Sequence, residues 1–319
     1  MSGGVFVTGG SGFIGGKLVE RLVADGHAVR ALARSERAAE RVAELGAEPV
    51  RGELSDVESL VAACTGAELA FHAAAKAESG GPWKEFVAAN VDGTRNVLEA
   101  CRRAGVRRLV HVGTEAALMA GRPLVNVDET APLQPESPAP YPATKAQAER
   151  LVLDAQGLET VVVRPRFVWG AGDTTLLPAM ADMVRAGKFA WIGGGRQQTD
   201  VAHVGNVVHA LQLAAERGKP GEAYFVTDGE PTEFRSFVTE LLDTQGVSAP
   251  AKSIPVPVAK ALAVAARYAF KVLPGEPPVD LFTVWVSSQE CTIDITKART
   301  ELGYAPVVSR AEGLAALRS

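Results

Sequence analysis

The chain has 319 residues, 47% of them apolar, with 33 basic and 37 acidic side chains interspersed for a net charge of −4. That supplies a full core for one large α/β unit or two closely joined ones, and it excludes a basic, nucleic-acid-binding surface. Cys64, Cys101 and Cys291 and the five histidines show no metal or redox spacing, so the expectation is a cytoplasmic chain with reduced thiols, no metal, no leader peptide and no membrane span.

The first half alternates short β-type runs with helical runs, the pattern of a doubly wound parallel sheet of Rossmann type. The expected strands are Val5–Thr8, Ala28–Ala33, Glu48–Arg51, Leu69–His72, Leu109–Val112 and Thr160–Arg164. The first runs into Thr8-Gly9-Gly10-Ser11-Gly12-Phe13-Ile14-Gly15 and then an amphipathic stretch with Leu18, Val19, Leu22 and Val23. Strand, glycine turn and helix together form a dinucleotide cradle, in which helix N–H groups face a pyrophosphate. Both Gly10/Gly12/Gly15 and Gly9/Gly12/Gly15 fit the spacing.

Such sheets bind ligands at the carboxyl ends of their strands. The second strand ends Ala33-Arg34-Ser35, with no acid for a ribose 2′-hydroxyl but a cation suited to a 2′-phosphate. NADP is therefore expected over NAD. Glu53, after the third strand, is placed to accept from an adenine amine, with Ser55 as a helix cap. Ala73-Ala74-Ala75, after the fourth, leave room for a cofactor, and His72 reads as structural. Asn90 interrupts a helical run over Trp83–Ala104 and needs a tertiary partner. Thr114 ends the fifth strand, and a long proline-rich connection leads to Tyr141-Pro142-Ala143-Thr144-Lys145. Tyr141 and Lys145 share a helix face, so the ammonium is expected to lower the phenol's pKa.

With these motifs the chain resembles the extended short-chain dehydrogenases/reductases, the superfamily of NDP-sugar epimerases and dehydratases. Further matching stretches are Asn90–Thr94, Arg164–Gly170, Asp200–Val204 and Leu302–Pro306. Arg164–Asp173 and Tyr224–Pro231 are most similar to the 3β-hydroxysteroid and sterol dehydrogenase branch. Glu53 stands where the family usually has Asp, and many steroid dehydrogenases of this branch use NAD, unlike the reading of Arg34. The resemblance implies Tyr141 as general acid/base, Lys145 on the nicotinamide ribose, and Thr114 on the substrate oxygen. It also implies cofactor contacts from Gly9, Gly12, Phe13, Ile14, Gly15, Arg34, Glu53, Leu54, Ala73, Ala74, Ala75, Asn90, Tyr141, Lys145, Pro165 and Val168.

The regular alternation weakens after residue 175. The expected organisation is a cofactor-binding domain over residues 1–175, with 200–228 packing back onto it, and a smaller, mostly helical substrate region over 176–319. Val256–Leu273 is almost wholly apolar, with Lys260, Arg267 and Lys271 on one stripe. It reads either as a lid or interfacial helix in peripheral contact with a membrane, or as a buried domain or dimer helix. The expected activity is NAD(P)-dependent interconversion of a secondary alcohol and a ketone on an apolar, sterol-like small molecule, by a homodimer. The alternatives are an NDP-sugar epimerase or dehydratase and a non-catalytic NADP sensor.

Overall fold

A computed structural model describes residues 4–77, 81–269 (side chains to 266) and 279–318. Seven parallel strands form the central sheet: β1 (Gly4–Thr8), β2 (Val29–Ala33), β3 (Glu48–Arg51), β4 (Ala67–His72), β5 (Arg108–Val112), β6 (Glu159–Pro165) and β7 (Glu222–Val226). Their order is β7-β6-β5-β4-β1-β2-β3. The chain leaves β1 in one direction and returns at β4 on its other side. The crevice between the ends of β1 and β4 is thus the switch point where ligands bind such sheets. The register sets Thr8 opposite His72, and His72 opposite His111.

Two cores lie on the two faces, as strand alternation requires. Val5, Val7, Val110 and Val112 join one; Phe6, Ala70 and Leu109 join the other. Helix α1 (Phe13–Ala24) packs Leu18, Val19 and Leu22 into the first core, and α2 (Glu36–Glu44) adds Val42. Helix α3 (Val57–Cys64) packs Leu60 and Ala63 into the second. Its cap is Asp56, not the expected Ser55, because the Asp56 carboxylate accepts from the Glu58 and Ser59 N–H groups.

The run expected as one helix over Trp83–Ala104 is α4 (Trp83–Phe86) and α5 (Gly93–Arg103), joined by a π-helical turn, Val87–Asp92. Asn90 sits in that turn. The proline-rich connection contains an unforeseen strand, Leu124–Val127, paired with Cys291–Ile293 in a second, four-stranded sheet. It ends at α6 (Pro140–Leu153), which carries Tyr141 and Lys145.

The remaining helices are α7 (Leu176–Arg185), α8 (Val204–Arg217), α9 (Phe234–Thr244), α10 (Val256–Ala269), α11 (Leu281–Ser288) and α12 (Arg310–Arg318). Of the apolar run Val256–Leu273, residues 270–273 lie outside the described residues. Helix α10 buries Ala259 and Ala263 against Ile192 and Val284, while Val258, Leu262 and Val264 are exposed. Among the described residues no helix is long and apolar enough to cross a membrane.

Candidate active site

Three glycines shape the turn after β1. Gly9 has φ +75°, and a Cβ there would lie 2.7 Å from the Ala74 nitrogen. A Cβ on Gly15 would lie 2.2 Å from the Gly9 carbonyl oxygen. A Cβ on Gly12 would meet only that oxygen, at 3.3 Å, a tight contact but with no other atom within 4 Å. Gly9 therefore provides the turn, Gly15 the close packing of helix on strand, and Gly12 the approach. Gly10 packs inward against Ala31 and Val19. Of the two readings of the spacing, Gly9/Gly12/Gly15 is the one the geometry supports. Gly12 caps α1 without any side-chain hydrogen bond, leaving the N–H groups around Phe13 and Ile14 to face an anion.

Around this cradle, Ala73 and Ala74 are half-buried beside Gly9, and Ala75 is exposed. Arg34 is exposed at the end of β2. Glu36 pairs with Arg51 at 3.6 Å. Glu53 is exposed at the same sheet edge, and the Leu54 carbonyl accepts from Asn96 at 2.8 Å. Asn90, expected at the cofactor, is bonded within the protein. Its Oδ1 accepts from the Lys76 N–H at 2.7 Å, and its Nδ2 donates to the Lys76 carbonyl and to Thr144, both at 3.1 Å. Both amide hydrogens are committed, so Asn90 braces the loop after β4 against α6. Pro165 ends β6, and Val168 opens a short strand paired with Ala202–His203.

Thr114 follows β5 and starts the 3-10 turn Glu115–Leu118. Its hydroxyl accepts from the Ala116 N–H at 3.2 Å and donates to Glu115 at 2.8 Å. The Tyr141 phenol lies against Thr114, with the Phe282 ring of α11 packed on it at 5.2 Å between centroids. Burial raises the Tyr141 pKa, the Glu115 charge raises it further, and hydrogen bonding to Thr114 pulls the other way. Lys145 is not among the causes. Its ammonium donates to the Val112 carbonyl at 2.8 Å and lies 3.4 Å from His111 Nε2. Burial lowers its pKa to about 8, opposed by Glu149. The expected lowering of Tyr141 by Lys145 is thus absent here, because the cation is drawn toward the sheet. Tyr141 stands as a protonated acid.

His72 is structural. Thr94 donates to the Asn90 carbonyl at 2.6 Å, so it accepts from His72 Nε2 at 3.0 Å. The other ring nitrogen then accepts from Thr8 at 2.6 Å. Burial lowers the ring's pKa to about 3, with Lys145 adding to the effect, so it is neutral.

The residue the sequence reading passed over is Glu115. It is buried and paired with the equally buried Arg166, Nη1 to Oε1, at 2.6 Å. Arg166 also donates to Thr199 at 3.0 and 3.2 Å. A charged residue three positions after a strand that is buried throughout was the available signal. Its partner, 51 positions away, left no local trace.

The sequence profile of the 3-beta hydroxysteroid dehydrogenase/isomerase family matches residues 6–257. The chain is 50% identical, over 98% of its length and 95% of the relative's, to the 4-hydroxy-2-methyl-3-oxo-4-farnesyl-3,4-dihydroquinoline-1-oxide ketoreductase of Stigmatella aurantiaca. It is 37% identical, over 99% and 98%, to the 2-alkyl-3-oxoalkanoate reductase of Stenotrophomonas maltophilia strain K279a. The crystal structure of gox2253 matches with a TM-score of 0.80 at 30% identity, covering 99% of this chain and 98% of that one.

Proposed function

The chain belongs to the 3-beta hydroxysteroid dehydrogenase/isomerase family, and from that premise we propose that it reduces a ketone on an apolar substrate with Tyr141 as the proton donor. It is an NAD(P)-dependent oxidoreductase of the extended short-chain type. The observation that carries the mechanism is the half-buried phenol of Tyr141, packed under Phe282 beside the end of β5 with its pKa raised by desolvation and Glu115. The cradle suits a dinucleotide: Gly12 is open toward an uncapped helix N-terminus, whereas Gly9 and Gly15 have no room for a side chain.

When bound, the nicotinamide supplies the hydride. Tyr141 gives its Oη proton to the substrate oxygen as negative charge develops there. Thr114 lies beside the Tyr141 phenol at the end of β5, where its oxygen is placed to meet the substrate oxygen. Lys145 stands one helical turn along, its ammonium held on the Val112 carbonyl and placed for the nicotinamide ribose. Arg34, exposed and free of Glu36, favours a 2′-phosphate, hence NADP(H). The two relatives named above, reductases of a 3-oxo farnesyl-dihydroquinoline oxide and of 2-alkyl-3-oxoalkanoates, support an apolar ketone. The exposed Val258, Leu262 and Val264 of α10 support peripheral contact with a lipid surface, and a homodimer completes the reading. Flotation with liposomes and light scattering test these two points.

The central test follows nicotinamide absorbance with a panel of apolar ketones and either coenzyme. Oxidation of NADPH that disappears in Tyr141→Phe is the expected result. Arg34→Ser is expected to cut the preference for NADPH over NADH by about tenfold, the loss of roughly one charge-assisted phosphate contact. Retention of activity in Tyr141→Phe would overturn the mechanism. Tight coenzyme binding without net redox change would point instead to a retained-cofactor epimerase or a sensor.

A further inference from the structure

His111 is buried in β5, and no step of the proposed reduction uses it. Its Nε2 lies 3.4 Å from the Lys145 ammonium, which also donates to the Val112 carbonyl at 2.8 Å. Both side chains are almost wholly buried, at 1% and 3% exposure. An ammonium has three hydrogens and no acceptor, so the ring nitrogen facing it is the one that accepts. A protonated ring would set two cations side by side in the core. Burial, Lys145 and His72 all push the His111 pKa down, and the ring is neutral. Its hydrogen is therefore on Nδ1. That N–H is buried and has no partner among the described residues. A buried donor left unpaired is destabilising. The ring thus adds little to the fold through its hydrogen bonds. What it does supply is an acceptor for Lys145.

We propose that His111 is a positioning residue for Lys145: together with the Val112 carbonyl it holds the ammonium at two points on β5, so that the third hydrogen is left for the nicotinamide ribose. This rests on the reading of Lys145 as the ribose-binding cation. The second anchor matters because a lysine stem is long and flexible and its three donors rotate. With one anchor the ammonium would still have to be ordered when the coenzyme binds, at a cost in affinity. The other ionisable groups around it are committed elsewhere. On α6, Glu149 favours the ammonium's charge but is paired with Arg164 of β6 at 2.5 Å. On β4, His72 is neutral and bonded to Thr8 and Thr94. Tyr141, one turn back along α6, lies against Thr114. Of these groups only His111 offers Lys145 a side-chain acceptor.

The test compares His111→Leu and His111→Gln with the wild-type enzyme. Coenzyme affinity is read from quenching of tryptophan fluorescence by NADPH. His111→Leu should bind NADPH about tenfold more weakly at neutral pH, the usual scale for one lost hydrogen bond. A glutamine amide oxygen reaches the place of Nε2, so His111→Gln should recover most of the affinity. Leucine also removes the unpaired Nδ1 hydrogen, which offsets the bond lost by Lys145. The urea midpoint of His111→Leu should therefore stay close to wild type. The pH above which affinity declines should fall in His111→Leu. An acceptor favours the charged lysine, whose pKa burial has already lowered to about 8. Wild-type affinity with an unmoved pH profile in His111→Leu would overturn the proposal. Equal losses in the leucine and glutamine variants would do the same, and so would a leucine variant that is unfolded, since both mark a histidine that serves the fold. Lys145→Met separates the two readings. If it binds NADPH as tightly as wild type, the ribose role of Lys145 fails. If it binds weakly and His111→Leu does not, only the positioning role of His111 fails.

Discussion

At the scale of single residues, the glycine turn was legible because backbone geometry leaves few alternatives. The spacing alone allowed two registers, and only the surroundings of each Cα separated them. Gly15 has no space for a methyl, since its Cβ would meet the Gly9 carbonyl at 2.2 Å. A Cβ on Gly12 would meet only the Gly9 carbonyl, at 3.3 Å, a tight contact that a shift of a few tenths of an ångström relieves. Gly15→Ala should therefore destabilise the fold by about 3 kcal/mol, the upper part of the range for overpacking. Gly12→Ala should leave urea stability nearly unchanged while weakening coenzyme binding at least about tenfold, because its methyl occupies the approach to the pyrophosphate. Equal losses of stability in the two variants would contradict this division. The acid–base residues were less legible. Tyr141 and Lys145 sit where the i, i+4 spacing puts them, but spacing does not reveal that Lys145 turns to the Val112 carbonyl. The raised pKa of Tyr141 has a consequence for pH. Its acid form persists through neutral pH, so reduction should hold its rate there and fall only in the alkaline range. Oxidation needs the phenolate and should rise with pH. Rate profiles in the two directions with a matched ketone and alcohol check the sign.

Among elements, the parallel strands were easy to place, because continuous apolar runs bounded by turn residues leave little else for them to be. The π-helical turn was not foreseeable in form, although Asn90 marked its place. A π turn widens the helix by one residue, and here it carries a side-chain amide that bonds both backbone groups of Lys76. The loop after β4, which carries Ala73 to Ala75, is thereby fixed to α6 through Thr144. Asn90→Ala would strand the Lys76 N–H and carbonyl and loosen the loop against Gly9. Coenzyme affinity should fall roughly tenfold, equivalent to about 1.4 kcal/mol. Amide hydrogen exchange should accelerate over residues 73–77 with little change in β1. Unchanged exchange in that loop would show that it is held by other contacts. The strand Leu124–Val127 escaped prediction for a different reason. It follows a proline and pairs with Cys291–Ile293, a partner far along the chain, so no local alternation announced it.

Over the whole molecule, the last third of the chain is bound to the sheet by a polar hub that motif reading recorded without explaining. Asp228 follows β7. Its Oδ1 accepts from the His203 N–H and from Asn206 Nδ2, both at 2.7 Å, and its Oδ2 accepts from Trp169 Nε1 at 2.9 Å. Asn206 in turn accepts from the N–H groups of Val307 and Val308 at 2.7 and 2.8 Å. Tyr304 donates to the Thr227 carbonyl at 2.9 Å. The matching stretches at Arg164–Gly170, Asp200–Val204 and Leu302–Pro306 therefore meet at one place, where they join β7, α8 and the C-terminal segment. Three donors converge on one carboxylate, a demand that only an acceptor with two oxygens satisfies. In Asp228→Asn one oxygen becomes an NH2 group. If it faces Trp169, two donors oppose each other; if it faces His203 and Asn206, three do. The less costly arrangement still loses the Trp169 bond and buries an unpaired donor, worth about 2 kcal/mol. Urea unfolding should show that loss with an unchanged m-value, because the transition remains one event. A separate early transition of the C-terminal segment would show instead that the hub fastens that segment without coupling it to the sheet.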